Sequence, residues 1–180
     1  MEFVDVVNTR TSVREFSTKP VDSEKVTYVL ECARRAPSWM NKQCWRFIVI
    51  RDKDVIQEIA RTSVINRWLK NAPVVVVACA DPLESGKQGD KEYYLVDTAI
   101  AFSHLILAAT DAGLGACWVA GFNEEKVKQI LEIPRRIRIV ALTPLGYPME
   151  RKGVVAQITG ALLKPQKRKS LEEIVHHEHW

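Results

Sequence analysis

The chain has 180 residues, of which 47% are apolar, and its formal net charge is +4. This length and apolar content predict one compact domain, residues 1–180, with a substantial core. The mild positive charge suits small anionic molecules at least as well as nucleic acid, and neither an RNA-binding aromatic motif nor zinc-finger spacing is present, so we expect no nucleic-acid partner.

Helices and strands alternate along the chain. Amphipathic or apolar stretches bounded by capping residues or proline predict helices over residues 2–9, 22–36, 52–63, 91–112 and 123–131. Apolar runs rich in β-branched residues predict strands over residues 45–50, 73–80, 116–120 and 136–146. The elements do not form regular βαβ units. We therefore expect an α+β or α/β sandwich with helices on both faces of a mixed sheet.

The chain becomes irregular after the "GYP" at residues 146–148. Residues 154–163, "VVAQITGALL", favour an additional strand or a packing arm. The tail "KRKSLEEIVHHEHW" brings its own apolar side chains, Leu171, Ile174 and Trp180, and we expect it to dock onto another surface. Its terminal histidines lack other metal ligands nearby, so we expect no metal site.

The cysteines at positions 32, 44, 79 and 117 include no C-x-x-C pair. The first ten residues, "MEFVDVVNTR", carry acidic residues where the apolar part of a signal peptide would begin. Both features predict a cytoplasmic protein with reduced thiols. Asp97, His104 and Asp111 interrupt the apolar stretch that starts at residue 97, which favours a largely buried helix over a membrane span.

Three stretches carry polar groups suited to a ligand. In "NTRTSVREF", residues 8–16, Arg10 and Arg14 flank Ser12 at alternate positions. Two guanidinium groups and a hydroxyl can bind phosphate oxygens, although a solvated loop with surface ion pairs is the plainer interpretation of so short a pattern. In "APSWMNKQCWRF", residues 36–47, Ser38 and Asn41 stand between aromatic residues, and amide groups can bind a heterocycle.

The third stretch, "GLGACWVAGF" at residues 113–122, has glycines before and after a short strand. Glycine allows the backbone to approach a flat ligand closely, but glycines also commonly end helices. The second stretch likewise has a plainer interpretation as a polar connection between a helix and a strand. Taken singly, none of the three identifies a function.

The ordered set is more specific. The segments "RTSVREF", "APSWMNKQCWRFIVI", "APVVVVACAD", "GLGACWVAGF", "LTPLGYP" and "KRKSLEEIV" follow one another over nearly the whole chain. This arrangement resembles the nitroreductase-like flavoprotein family. The resemblance implies an α+β sandwich with a mixed, mainly antiparallel central sheet flanked by helices. It also implies an FMN-dependent homodimer with two active sites at the subunit interface.

The resemblance also implies roles for individual residues. Arg10 and Ser12, with Thr11 between them, would hold the FMN phosphate, and Arg14 would lie near N1 and O2 of the flavin ring. The remaining cofactor-binding positions are Pro37, Ser38, Trp39 and Asn41 from the partner subunit, Ala120 and Gly121 near flavin N5, Arg168 at the phosphate, and Arg67 near the ring. Because the chemistry would be centred on the flavin, we expect no catalytic acid, base or nucleophile.

The sequence departs from the family pattern in three places. Cys44 replaces a common proline, Trp39 replaces a small residue beside the expected ring, and a segment of extra residues, about 151–163, precedes a C-terminal arm at residues 164–180. The function implied is electron transfer from NAD(P)H to a small acceptor such as a nitroaromatic or a quinone. The alternatives are a specialised relative, either a dehalogenase or a flavin-consuming enzyme, and a flavin-binding protein without turnover.

Overall fold

The computed structural model of the protein describes residues 1–149 and 168–180. The described residues fall into two units, Met1–Met149 and residues 168–180. The first unit contains the helices α1 (Phe3–Thr9), α2 (Ser23–Arg34), α3 (Lys53–Arg61), α4 (Tyr93–Asp111) and α5 (Glu124–Ile130). Its strands are β1 (Trp45–Ile50), β2 (Val74–Ala80), β3 (Lys87–Gln88), β4 (Lys91–Glu92), β5 (Gly115–Ala116) and β6 (Arg138–Gly146).

The central sheet has the order β1-β2-β6-β5, and each neighbouring pair is antiparallel. A parallel bridge between Ser12 and Ala116 extends the sheet beyond β5. The prediction of a mixed, mainly antiparallel sheet flanked by helices is therefore confirmed. Strands β3 and β4 form a separate two-stranded hairpin directly before α4.

Strand β2 shows why the sheet has helices on both faces. All seven of its residues are buried, and alternate side chains of a strand point to opposite faces. Val75 and Val77 join a core cluster with residues of α3 and α5. Val74 and Val76 join a second cluster with residues of α2 and α4. Strand β2 is apolar at every position because its side chains contribute to a core on each face of the sheet.

Helix α4 packs into the second core. Among the described residues it is the helix that is long and apolar enough to cross a membrane, yet half of the apolar stretch is buried within the protein. Phe102 and Leu105 are fully buried between α2 and the sheet. This packing is that of a core helix, as predicted from the charged residues in the segment.

The predicted strand at residues 116–120 is interrupted. Strand β5 ends at Ala116, and Val119 alone resumes pairing with Leu142 of β6. Between them the Cys117 amide donates to the Thr143 hydroxyl at 3.2 Å. Pro144 stands opposite Cys117 in the continued register, and proline has no N–H to donate. The ladder therefore stops there.

The second unit is described from residue 168 onward. A turn at residues 170–174 is closed by the Ser170 amide, which donates to Glu173 Oε2 at 2.8 Å. The His176 and Trp180 rings stack with their centres 4.7 Å apart. The segment of extra residues expected at 151–163 lies outside the described residues, as does the start of the C-terminal arm.

Candidate functional site

Residues 10–16 run along the outer side of β5. Ser12 bridges Ala116, and the Val13 amide donates to the Ala116 carbonyl at 2.9 Å. Val13 packs against the core, whereas Arg10 is half-buried and Ser12 and Arg14 are exposed. A Cβ atom on Gly115 would lie 2.7 Å from the Val13 side chain, so glycine is needed for this close approach. Thr11 is exposed.

The arginines here lack acidic partners. Within residues 1–149 and 168–180, Arg10, Arg14 and Arg67 form no ion pair. Five other arginines each meet a carboxylate, namely Arg34, Arg35, Arg46, Arg136 and Arg138. Arg51, Arg61 and Arg135 also form no ion pair among these residues, and Arg51 and Arg61 bond to uncharged oxygens. The Arg14 guanidinium lies 5.9 Å from the centre of the Trp68 ring, a cation–π contact. Arg67 is the residue before Trp68 in the 3₁₀ helix Arg67–Asn71.

Ala120 and Gly121 follow Val119, the residue that bridges Leu142 of β6. The Gly121 carbonyl accepts hydrogen bonds from Ser63 Oγ and, at 3.0 Å, from Asn66 Nδ2. In the described part of the chain, the amides of Ala120 and Gly121 donate to no acceptor, and both residues are exposed. We call this region the arginine face: Arg10, Ser12, Arg14, Arg67 and the amides of Ala120 and Gly121. It offers an anionic, polar ligand both charge and free donors.

A second group of predicted residues forms the loop at residues 37–43, here called the serine–asparagine loop. Three of its residues have left-handed backbone angles: Met40 (φ 49°), Asn41 (φ 56°) and Gln43 (φ 51°). Such angles are unfavourable for residues other than glycine and persist where the surroundings hold the chain firmly. The loop is therefore an ordered structure that depends on specific contacts.

Hydrogen bonds inside the loop orient its polar side chains. The Gln43 amide donates to Ser38 Oγ at 2.9 Å, and Gln43 Nε2 donates to Asn41 Oδ1 at 3.0 Å. Both acceptors keep unused donors, namely the Ser38 hydroxyl hydrogen and the Asn41 amide hydrogens. Pro37 and Asn41 are exposed, and Ser38 is half-buried. The loop thus presents hydrogen-bond donors at the surface.

Trp39 anchors the loop within its own chain. Its ring stacks on Tyr93 with the centres 5.8 Å apart and an angle of 24° between the planes. A Cβ atom on Gly86 would lie 2.4 Å from the Trp39 ring, so the ring sits directly over that glycine. The Trp39 amide donates to Asp97 Oδ1 at 2.9 Å. The ring is thus held against α4 and the β3–β4 hairpin.

Asp97 lies beneath the loop and is 2% exposed. Besides the Trp39 amide, its carboxyl group accepts from the Ser85 hydroxyl at 3.1 Å and lies 3.9 Å from the Cys44 sulfur. Burial raises the pKa of the Cys44 thiol, so this group stays protonated and can donate.

The predicted residues therefore lie in two different surroundings. The arginine face adjoins β5 and the 3₁₀ helix Arg67–Asn71, whereas the serine–asparagine loop is fastened to α4 and the hairpin. Arg168 belongs to the second unit and is exposed. Sequence reasoning missed the residues that hold these groups, namely Ser63, Asn66, Trp68, Gly86 and Asp97. Of these, Asp97 had a visible signal, because it is an acid within an apolar helix.

The nitroreductase family model matches the chain over residues 7–65 and 57–147. A protein from Archaeoglobus fulgidus that carries the name NADH dehydrogenase/NAD(P)H nitroreductase is 32% identical over 155 residues, covering 84% of this chain and 88% of that one. Iodotyrosine deiodinase 1 from Rattus norvegicus is 26% identical over 204 residues, covering 97% of this chain and 68% of that one.

Solved structures agree with this relationship. A nitroreductase family protein from Clostridium novyi NT superimposes with a TM-score of 0.81 at 43% identity, covering 83% of this chain and 87% of that one. An FMN-dependent nitroreductase from Clostridium difficile R20291 shares the fold, with a TM-score of 0.80 at 23% identity, covering 98% of this chain and 99% of that one. The matched residues include both the arginine face and the serine–asparagine loop. This chain belongs to the nitroreductase family.

Proposed function

We propose that this protein is an FMN-dependent oxidoreductase that passes electrons from NAD(P)H to a small acceptor such as a nitroaromatic or a quinone. The observation that supports the proposal is the set of groups called the arginine face, which combines arginines without acidic partners among the described residues, the Ser12 hydroxyl and two amides without acceptors. Unpaired arginines concentrated in one region are suited to an anionic ligand.

FMN suits these groups in charge and in its hydrogen-bonding capacity. Its phosphate needs cations and hydroxyl donors, which Arg10, Thr11 and Ser12 supply from one short segment. Arg14, steadied by the Trp68 ring, would stand near N1 and O2, where a fixed cation stabilises the reduced ring. The free amides of Ala120 and Gly121 would face N5. Arg67 would contribute charge beside the ring, and Arg168 would add a second phosphate contact.

We propose that the serine–asparagine loop completes the site from a second subunit. Its separate anchoring on α4 supports this, because α4 also carries exposed apolar residues, Leu95 and Val96, each 47% exposed. On α1, Phe3 is 71% and Val4 65% exposed. Exposed apolar residues concentrated on neighbouring helices mark an interaction surface. A homodimer would bury them and bring Pro37, Ser38, Trp39 and Asn41 to the partner's flavin.

FMN held by these residues would supply the redox chemistry, namely hydride acceptance from NAD(P)H and electron transfer to the acceptor in a ping-pong sequence. The protein's own groups have the tasks of binding and orientation: the arginines hold the anionic cofactor, and the amides fix the ring edge. None of these tasks requires a nucleophile or a general base. The name of the Archaeoglobus fulgidus relative supports NAD(P)H as the electron donor, and that of the Clostridium difficile structure supports FMN.

Reductive dehalogenation is a second candidate, supported by the similarity to iodotyrosine deiodinase 1 along 97% of this chain. A flavin protein without turnover is less well supported. That function would require Trp39 to cap the ring, whereas Trp39 is packed on Gly86 and Tyr93 of its own chain.

We also propose that the protein works in the cytoplasm, which accords with its four free cysteines. Residues 150–180 would serve the same domain, as an inserted segment followed by a C-terminal arm.

The test is an absorbance spectrum of the purified protein followed by steady-state assays. The proposal predicts flavin absorbance bands and consumption of NADH or NADPH with a quinone or a nitroaromatic. Turnover of an iodinated phenol with no turnover of these acceptors would favour the dehalogenase. A protein that neither carries nor binds FMN would contradict both.

A further inference from the structure

Asp97 is the buried group that ties the serine–asparagine loop to α4. It lies in the second turn of α4, on the buried side of the helix. Its two carboxyl oxygens contact different segments. Oδ1 accepts from the Trp39 amide at 2.9 Å, and Oδ2 accepts from the Ser85 hydroxyl at 3.1 Å. One side chain therefore connects the loop, the hairpin and the helix.

The loop has particular need of such a connection. Three left-handed residues follow Trp39 within four positions, and strained backbone persists only when its surroundings determine it. The Trp39 ring provides one fixed point over Gly86, and the Trp39 amide provides the other. A partly buried amide without an acceptor is unfavourable, so loss of the Asp97 carboxyl group would loosen the loop.

We infer that Asp97 is a positioning residue for the flavin site: it fixes the backbone at Trp39 so that Ser38 and Asn41 reach the cofactor of the partner subunit. This inference rests on the proposed function. Asp97 itself would touch neither FMN nor a substrate. Its neighbours Leu95 and Val96 are exposed on the apolar surface of α4, so the end of the helix that would meet the second subunit would also set the loop's position.

The adjacent residue supplies a matched control. Thr98 is fully buried, and its hydroxyl has no hydrogen-bond partner in the described part of the chain. Thr98→Val keeps the shape of the side chain and removes a hydroxyl that bonds to neither Trp39 nor Ser85. Leu105→Ala is a second control. It opens a cavity in the core beside α4 and lowers the stability of the fold, and Leu105 belongs to a core cluster that contains no residue of the loop.

The experiment measures FMN dissociation constants of the apo-proteins and, without FMN, hydrogen exchange at amides 39–43. Asp97→Ala should weaken FMN binding about tenfold or more and speed exchange in the loop. Asp97→Asn should restore both, because its amide can accept from Trp39 and donate to Ser85. Thr98→Val and Leu105→Ala should leave the loop's exchange and FMN binding close to those of the unmodified protein.

If the FMN dissociation constant of Asp97→Ala is within about twofold of that of the unmodified protein, the inference is overturned and the proposed function stands. Equal weakening by Leu105→Ala would overturn it too, since the effect would then reflect general stability. If the unmodified protein binds no FMN, the proposed function fails, and exchange alone decides whether Asp97 holds the loop. Should Asp97→Ala not fold, Asp97→Ser, with its shorter side chain, undergoes the same two measurements with the same criteria.

Discussion

Replacing Arg10 by alanine tests the anion-binding role of the arginine face. Arg10 has no acidic partner among the described residues, so its removal should leave the fold intact. It would remove one charge-assisted hydrogen bond to the FMN phosphate, worth about 1.5–3 kcal/mol. Since about 1.4 kcal/mol is tenfold in a dissociation constant, FMN should bind roughly ten to a hundred times more weakly.

The assay is titration of apo-protein with FMN at fixed ionic strength, followed by flavin fluorescence. Arg34→Ala is the matched control, because Arg34 is an exposed arginine on α2 that pairs with Glu31. Ligand binding also stabilises the folded state. FMN at 100 times its dissociation constant adds about 2.7 kcal/mol, and a thirtyfold weaker site would add about 0.9 kcal/mol at the same concentration.

The melting temperature with FMN should therefore fall in Arg10→Ala, while the melting temperature of the apo-protein stays unchanged. If Arg10→Ala and Arg34→Ala bind FMN equally well, Arg10 is not a phosphate ligand, and unpaired charge is a poor guide to this site.

Three further predictions concern the ring, the loop and the fold. Arg14→Gln should lower the flavin midpoint potential, because a cation that stabilises the reduced ring is lost; a redox titration showing no change or a rise would exclude Arg14 from N1 and O2. Gly86→Ala would set a Cβ atom 2.4 Å from the Trp39 ring and should lower the free energy of unfolding by about 1–3 kcal/mol. Gln88→Ala in strand β3 is the control and should not lower it. Equal melting temperatures for the two variants would contradict the packing of Trp39 on Gly86. Burial opposes the ionisation of Glu124, but hydrogen bonds from Arg138, the Ile139 amide and Lys128 lower its pKa to about 2. Its contribution to the free energy of unfolding is therefore fully present above the ordinary carboxyl pKa and is lost as pH falls toward 2. Glu124→Gln should flatten acid unfolding in that range, and an unchanged profile would refute this assignment.

The regular elements were predictable because burial imposes a period on the sequence. Strand β1 occupies residues 45–50, as predicted, and β2 begins one residue after the predicted start. Helix α4 begins at Tyr93 rather than at residue 91, because Lys91 and Glu92 pair with the preceding strand of a hairpin. Two-residue strands carry no detectable alternation, so the β3–β4 hairpin had no signal beyond its Gly89 turn.

The site was predictable only in part, for a related reason. Arg10, Ser12 and Arg14 were recognisable as candidates because they stand at alternate positions in one short segment, and in the structure that segment bridges Ala116 at Ser12. The groups that hold the site in place come from distant segments. Asn66 reaches Gly121 across 55 positions of sequence, and Asp97 reaches Trp39 across 58. The sequence around each residue does not indicate such distant hydrogen-bond partners, because the two residues meet only in the folded chain.

The most direct test of the shared flavin site is complementation between two damaged chains. One chain carries Arg10→Ala with Arg14→Ala, the other carries Ser38→Ala with Asn41→Ala, and the two are unfolded and refolded together. Each mixed dimer should then contain one doubly damaged site and one intact site. Bound FMN and NAD(P)H oxidation should partly recover above the level of either parent refolded alone. Mixed dimers that form without any recovery would show that each site is built within one subunit, which contradicts the account.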